Sequence, residues 1–188
     1  MYINYIIRQS MLTLSDLQTM GANRWAMPLM AALDGAGEIR FAVAETRLAA
    51  PRNSLSRAFD HVVAAGWVMR NPGHGHPLRP EYLLTDAGRA IAAAAARTMA
   101  ERSAQGLSPA DLGRWTLPLV AGIAGEKRRF GDLLTRLAPV TPRALSLTIK
   151  QGMGASLIAR DLRPASFPPL PLYGLTPRGR ALAEALLA

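Results

Sequence analysis

The side chains of this chain best placed for chemistry are guanidinium, amide and hydroxyl groups. What they offer is hydrogen bonding to a partner rather than covalent catalysis. Arg52, Asn53, Ser56 and Arg57, with Asp60 or His61 a turn further on, fall on one face of a helix, and Leu55, Phe59 and Val62 line the other. Arg143, Ser146, Leu147 and Lys150 take the same outward face 90 residues later, a poorer set with one Arg, one Lys and no Asn. Arginine can grip guanine with two hydrogen bonds and asparagine can grip adenine the same way, each worth about 1–3 kcal/mol of discrimination. Solvated surface groups of no special role would look the same at this level.

Covalent chemistry finds little to work with. There is no cysteine, so a disulfide, a thiol nucleophile, a thiolate metal site and a cysteine redox sensor are all excluded. The three histidines are His61, His74 and His76, and no Ser-His-Asp spacing stands out. His74 and His76 have no acid nearer than Glu81, which makes a poor metal-ligand set. No G-x-x-x-x-G-K-[ST] phosphate loop occurs, and acid pairs such as Glu38 and Glu45 belong to different elements. The expectation is a protein that is not an enzyme and carries neither cofactor nor metal.

The charge points to a polyanion. A formal charge of +9 and a pI near 11.1 favour nucleic acid first and an acidic membrane surface second. There are 11 basic and 8 acidic residues before Ser103, and 11 and 5 after it. No stretch approaches the roughly 20 apolar residues needed to span a bilayer. MYINYIIRQSML is too short and polar for a signal peptide. A cytoplasmic, nucleoid-associated protein is expected.

These residues sit in a sequence written twice. LTDAGRA (Leu84–Ala90) returns as LTPRGRA (Leu175–Ala181), and RWAMPL (Arg24–Leu29) returns as RWTLPL (Arg114–Leu119). Arg40-Phe41 matches Arg129-Phe130, Arg47-Leu48 matches Arg136-Leu137, Leu55-Ser56 matches Leu145-Ser146, and Tyr82 matches Tyr173. The offsets stay between 89 and 91 residues, which marks a duplicated module. The reading is an N-terminal helical arm over 1–20, a first module over 21–102, a linker over 103–109 and a second module over 110–188. The arm has Ile3, Ile6, Ile7 and Met11 at helical spacing. It is expected to pack on its own domain, or equally on a neighbouring domain or a second subunit.

The elements that must position the polar faces follow from periodicity and caps. In module one, Asn23 caps a helix to Leu33, kinked at Pro28. A short strand at Ile39–Phe41 follows, then helices over Val43–Ala49 and Pro51–Ala65, the latter ended by Gly66. Trp67–Met69 and Glu81–Leu84 make a hairpin with a long tip, and Thr85 caps an Ala-rich helix to about Glu101. In module two, Asp111 caps a helix to Ala124, Lys127–Phe130 is a strand and Gly131–Ala138 a helix. Thr141 and Pro142 start the next helix. Leu157–Leu162 and Phe167–Tyr173 form the second hairpin, and Pro177–Leu187 closes the chain. Gly152 and Gly154, each costing roughly 1 kcal/mol in a helix interior, together with Ser156 where module one has Gly66, predict that the second polar helix ends early. Trp25, Trp67 and Trp115 are read as core packing.

Helix, tight turn, helix and two-stranded hairpin is the winged helix-turn-helix order. The fold class expected is mainly α with small β-hairpin wings, as two tandem domains forming a pseudo-dimer. GRWTL (Gly113–Leu117), RRFGDLLTRL (Arg128–Leu137), TPRALS (Thr141–Ser146) and PPLPLYGLTPRGRALAEAL (Pro168–Leu186) resemble the HxlR-type winged-helix regulators of bacteria, within the wider MarR-like group. Module two follows the pattern over nearly its whole length, module one more loosely.

The resemblance implies a transcription regulator binding double-stranded DNA, recognition helices in successive major grooves about 34–36 Å apart and wings on the backbone or minor groove. The residues then expected at DNA are Arg52, Asn53, Ser56, Arg57 and His61 in the first helix, with Arg70, His74, His76 and Arg79 in the first wing. In module two they are Arg129, Thr141, Arg143, Ser146 and Lys150, with Arg163 in the second wing. Lys127-Arg128-Arg129 reads equally as a phosphate clamp or a solvated turn. The alternative is a tandem winged-helix module for protein–protein interaction or chromosome organisation. Self-association through the arm and a small apolar effector between the modules are further partners considered.

Overall fold

The computed structural model describes residues 12–71, 81–163 and 170–188. Helix α1 (Leu14–Ala22) comes first. The first copy then runs α2 (Ala26–Leu33), β1 (Glu38–Arg40), α3 (Phe41–Leu48), α4 (Arg52–Ala64), β2 (Val68–Asn71), β3 (Glu81–Leu84) and α5 (Asp86–Ala104). The second runs α6 (Thr116–Ile123), β4 (Arg128–Arg129), α7 (Phe130–Arg136), α8 (Pro142–Gly154), β5 (Ile158–Arg163), β6 (Leu170–Leu175) and α9 (Pro177–Leu187). The chain divides into two compact units. Ala22–Ala100 is one; Glu101–Ala188 with the described residues up to Gly21 is the other.

Each unit holds one three-stranded antiparallel sheet with the return strand in the middle, in the orders β1-β3-β2 and β4-β6-β5. Tyr82 pairs with Ile39 on one side and Arg70 on the other. Tyr173 holds the same place between Arg128 and Arg160. In the first unit Phe59 of α4 stacks on Tyr82 with ring centroids 3.9 Å apart and meets Phe41 at 5.5 Å. At the matching place α8 carries Ile149, and the second core is aliphatic, built on Leu119, Ile123, Leu133, Leu145, Leu157 and Leu182.

The LT-x-x-GRA repeat has a physical cause. Thr85 Oγ1 donates to the carbonyls of Gly66 and Trp67 and accepts from the Gly88 amide. It thereby ties the start of α5 to the residues leading into β2. Thr176 Oγ1 does the same, donating to Ser156 O and accepting from Gly179 N. The glycines are required because a Cβ on Gly88 would stand 1.8 Å from Trp67 O and one on Gly179 2.0 Å from Leu157 O. Those carbonyls also accept from Thr85 N and Thr176 N, so neither can move aside cheaply.

Several sequence expectations change. Pro28 and Pro118 kink nothing. They occupy the third positions of α2 and α6, where an amide has no intrahelical acceptor to lose. Asp111 does not cap α6, which begins five residues later; its Oδ2 accepts from Ser108 N and Ser108 Oγ, both at 2.7 Å. Those two bonds stabilise the carboxylate and hold its pKa below the ordinary value, with Arg178 and Arg102 adding to the effect. Helix α8 does not end early. It has 13 residues, as α4 has. Gly152 lies against Ile158, whose Cδ1 would stand 2.7 Å from a Cβ there and would have to move aside, and Ser156 takes the left-handed terminal conformation (φ 56°) that Gly66 takes in the first copy (φ 74°). Both ends close alike: Trp67 N donates to Val62 O, and Leu157 N to Gly152 O.

Helix α1 packs within the second unit. Leu17 and Met20 are fully buried, and Gln18 Nε2 donates to the carbonyls of Leu137 (3.4 Å) and Ala138 (3.2 Å). Gly21 lies so close to the backbone at Arg114 that a Cβ would stand 2.1 Å from its carbonyl oxygen. Ile3, Ile6, Ile7 and Met11 lie outside the described residues. The division between the units falls inside α5. After α5, Gly106 turns the chain with φ 63°, Leu107 is buried, and Arg178 Nη2 donates to Gln105 O at 2.7 Å.

Candidate nucleic-acid interface

Helices α4 and α8 present their polar faces in the same frame. From residue 51 to 60 and from 141 to 150 the sequence of exposed, half-buried and buried positions is identical. The buried stripes are Leu55, Ala58, Phe59 and Val62 in α4, and Leu145, Thr148, Ile149 and Gly152 in α8. Burying those stripes leaves Asn53, Ser56, Arg57 and Asp60 exposed on α4, and Arg143, Ser146, Leu147 and Lys150 on α8. Residue by residue, Asn53 matches Arg143, Ser56 matches Ser146, Arg57 matches Leu147 and Asp60 matches Lys150. The two faces share a shape and differ in chemistry.

The remaining expected residues divide. Arg52 opens α4, exposed, with Nη1 3.1 Å from Glu45 Oε2 and its guanidinium over the Phe41 ring at 5.0 Å. A pair this exposed is worth at most about 1 kcal/mol, so another anion can compete for it. His61 is half-buried on the flank of α4. Thr141 is exposed, but its Oγ1 accepts from Ala144 N as the α8 cap. Arg70 is exposed on β2, as is Arg129 on β4. Arg163 ends β5; its side chain, like His74, His76 and Arg79, lies outside what is described.

In the Lys127-Arg128-Arg129 run, two side chains are engaged within the unit. Lys127 pairs with Asp161. Arg128 Nε donates to Gly122 O at 2.8 Å, and Arg128 Nη2 stands 2.6 Å from Glu126.

One feature of both units escaped the sequence reading. Trp67 is buried, but Trp25 and Trp115 are only half-buried. Each carries the preceding arginine over its ring, Arg24 at 5.1 Å and Arg114 at 5.4 Å. In the first unit Asn23, Arg24 and Trp25 border an open cleft of about 360 Å³ with Pro51, Ser54 and Arg57 at the start of α4. The recurrence of Arg-Trp was the available signal. The tryptophan by itself suggests core, but exposure is decided by packing that a dipeptide does not encode.

Among the described residues no group of three metal-ligating side chains gathers, and no helix is long and apolar enough to cross a membrane. The chain has no significant match among curated proteins or solved structures. The family of DNA-binding regulators described as HxlR-like helix-turn-helix matches twice, over residues 20–109 and 112–188. Two helix-turn-helix units in one frame, each with its three-stranded sheet and each matched separately, make this chain a member of the HxlR-like helix-turn-helix family in two tandem copies.

Proposed function

We propose that this chain is a sequence-specific transcriptional regulator that binds double-stranded DNA through α4 and α8, with the β2–β3 and β5–β6 hairpins against the phosphate backbone. The observation carrying the reading is the shared frame of the two helices, which leaves polar and cationic side chains outward on both. In this reading Arg52, Asn53, Ser56, Arg57 and His61 meet the first half-site, and Arg143, Ser146 and Lys150 the second, while Thr141 holds the start of α8. Arg129 and the wing residues Arg70, His74, His76, Arg79 and Arg163 contact phosphate, which sets position without reading sequence. Because the two faces differ in chemistry, the preferred site is not a palindrome. The tandem units are proposed as a covalent pseudo-dimer over 21–102 and 110–188, working at the nucleoid in the cytoplasm.

The test is selection of bound duplexes from a random pool by the full chain, followed by competition against the unselected pool. An enriched, asymmetric sequence supports the proposal. A chain that enriches nothing, yet co-purifies with a protein partner, fits the interaction-module reading instead.

A further inference from the structure

Among the outward positions of α4 and α8, one exchange stands apart. Leu147 is 55% exposed, and it occupies the position that Arg57 occupies in the first copy. Its neighbours on that face, Arg143, Ser146 and Lys150, are all polar and exposed. Isolated exposed leucines are ordinary on protein surfaces, so exposure alone decides nothing. The position decides: the middle of the face, in a frame where the other copy presents a guanidinium.

A leucine there has no donor or acceptor, so it cannot distinguish bases by hydrogen bonding. Of the four bases, only thymine offers an apolar group in the major groove, its 5-methyl. We infer that Leu147 is a specificity-determining residue that reads a thymine methyl, so that one half-site is chosen by donors facing guanine and the other by apolar contact with thymine. This rests on the DNA-binding reading above and adds the identity of a base and the atom by which it is recognised.

Deoxyuridine isolates that atom, because it pairs and carries charge as thymidine does and lacks only the methyl. On the duplex selected by the full chain, each thymine is replaced in turn by deoxyuridine and binding is measured for the wild-type chain and for Leu147→Ala. The expected result is a roughly three- to five-fold loss at one or two thymines of one half-site for the wild type, the worth of a single buried methyl. Leu147→Ala is expected to bind thymine and deoxyuridine forms equally. Leu147→Arg is expected to shift the selected base at that position to guanine. Circular dichroism of both variants should match the wild type, since the side chain is exposed.

A flat deoxyuridine scan on an enriched duplex overturns this inference and leaves the DNA-binding proposal standing. So does a loss that persists in Leu147→Ala. An unchanged selected sequence for both variants, as a leucine that docks a protein would give, overturns it too. If the wild-type chain enriches no duplex, the broader proposal has failed first and this one falls with it.

Discussion

At the scale of single residues, Arg57 and Ser156 show how one position can be judged only in its frame. Arg57 lies on the exposed face of α4 beside Asn53 and Ser56. Arg57→Ala is expected to lower the preference for the selected duplex by about 1–3 kcal/mol while changing salt-dependent binding to random duplex much less. Competition titrations measure both, and an equal loss in the two would put Arg57 on the phosphate backbone. Ser156 holds φ 56°, where an L side chain costs roughly 1–2 kcal/mol. Ser156→Gly is expected to raise stability by about 1 kcal/mol, read as a higher thermal midpoint. Asp111 is held below its ordinary pKa by Ser108, so its contribution is complete above the unfolded-state value. That contribution declines as pH falls below this value and is gone once pH has fallen through the lowered one. The Ser108 amide resonance should follow the same titration, and an unshifted midpoint would remove this role. None of the three roles was visible in residue identity. Helical spacing alone puts Arg57 on the outward face, whereas Ser156 reads as a weakness of α8 and Asp111 as a helix cap, although it closes a turn on Ser108.

At the scale of elements, most of the order was legible, because periodicity and caps report local geometry. β3 and α9 fall where the sequence places them. The misreadings arose where the cause is a distant atom. Gly152 looks like a broken helix until Ile158 is seen against it. Pro28 looks like a kink until the start of α2 is located at Ala26. Gly88 and Gly179 recur in the repeat, and the structure supplies the reason in the carbonyls of Trp67 and Leu157 packed against them. Gly88→Ala and Gly179→Ala are therefore each expected to destabilise their own unit by about 1–3 kcal/mol, or more where the helix cannot shift. Chemical denaturation would check this; a neutral Gly179→Ala would show that the close approach is not required.

At the scale of the whole chain, the two units differ in how they are completed. The second draws α1 from the opposite end of the sequence, burying Leu17 and Met20. Leu17→Ala is expected to cost about 2–5 kcal/mol and to quicken amide exchange in Glu101–Ala188 ahead of Ala22–Ala100. Uniform quickening, or quickening of the first unit, would contradict that assignment. The charge of +9 belongs to this scale as well. Binding to any duplex should weaken steeply with salt as counterions are released. A binding constant insensitive to salt would leave the cationic surface without its proposed partner.

The duplication, the winged order and the apolar stripe of α4 were all determined by the sequence itself, because they are written in spacing, caps and recurrence over a few residues. Tertiary structure alone decided which unit α1 completes, why a Cβ on Gly179 would press on the backbone of Leu157, and that Leu147 is left exposed. These depend on how separate elements pack, and no local pattern records which atoms such packing brings close or leaves exposed.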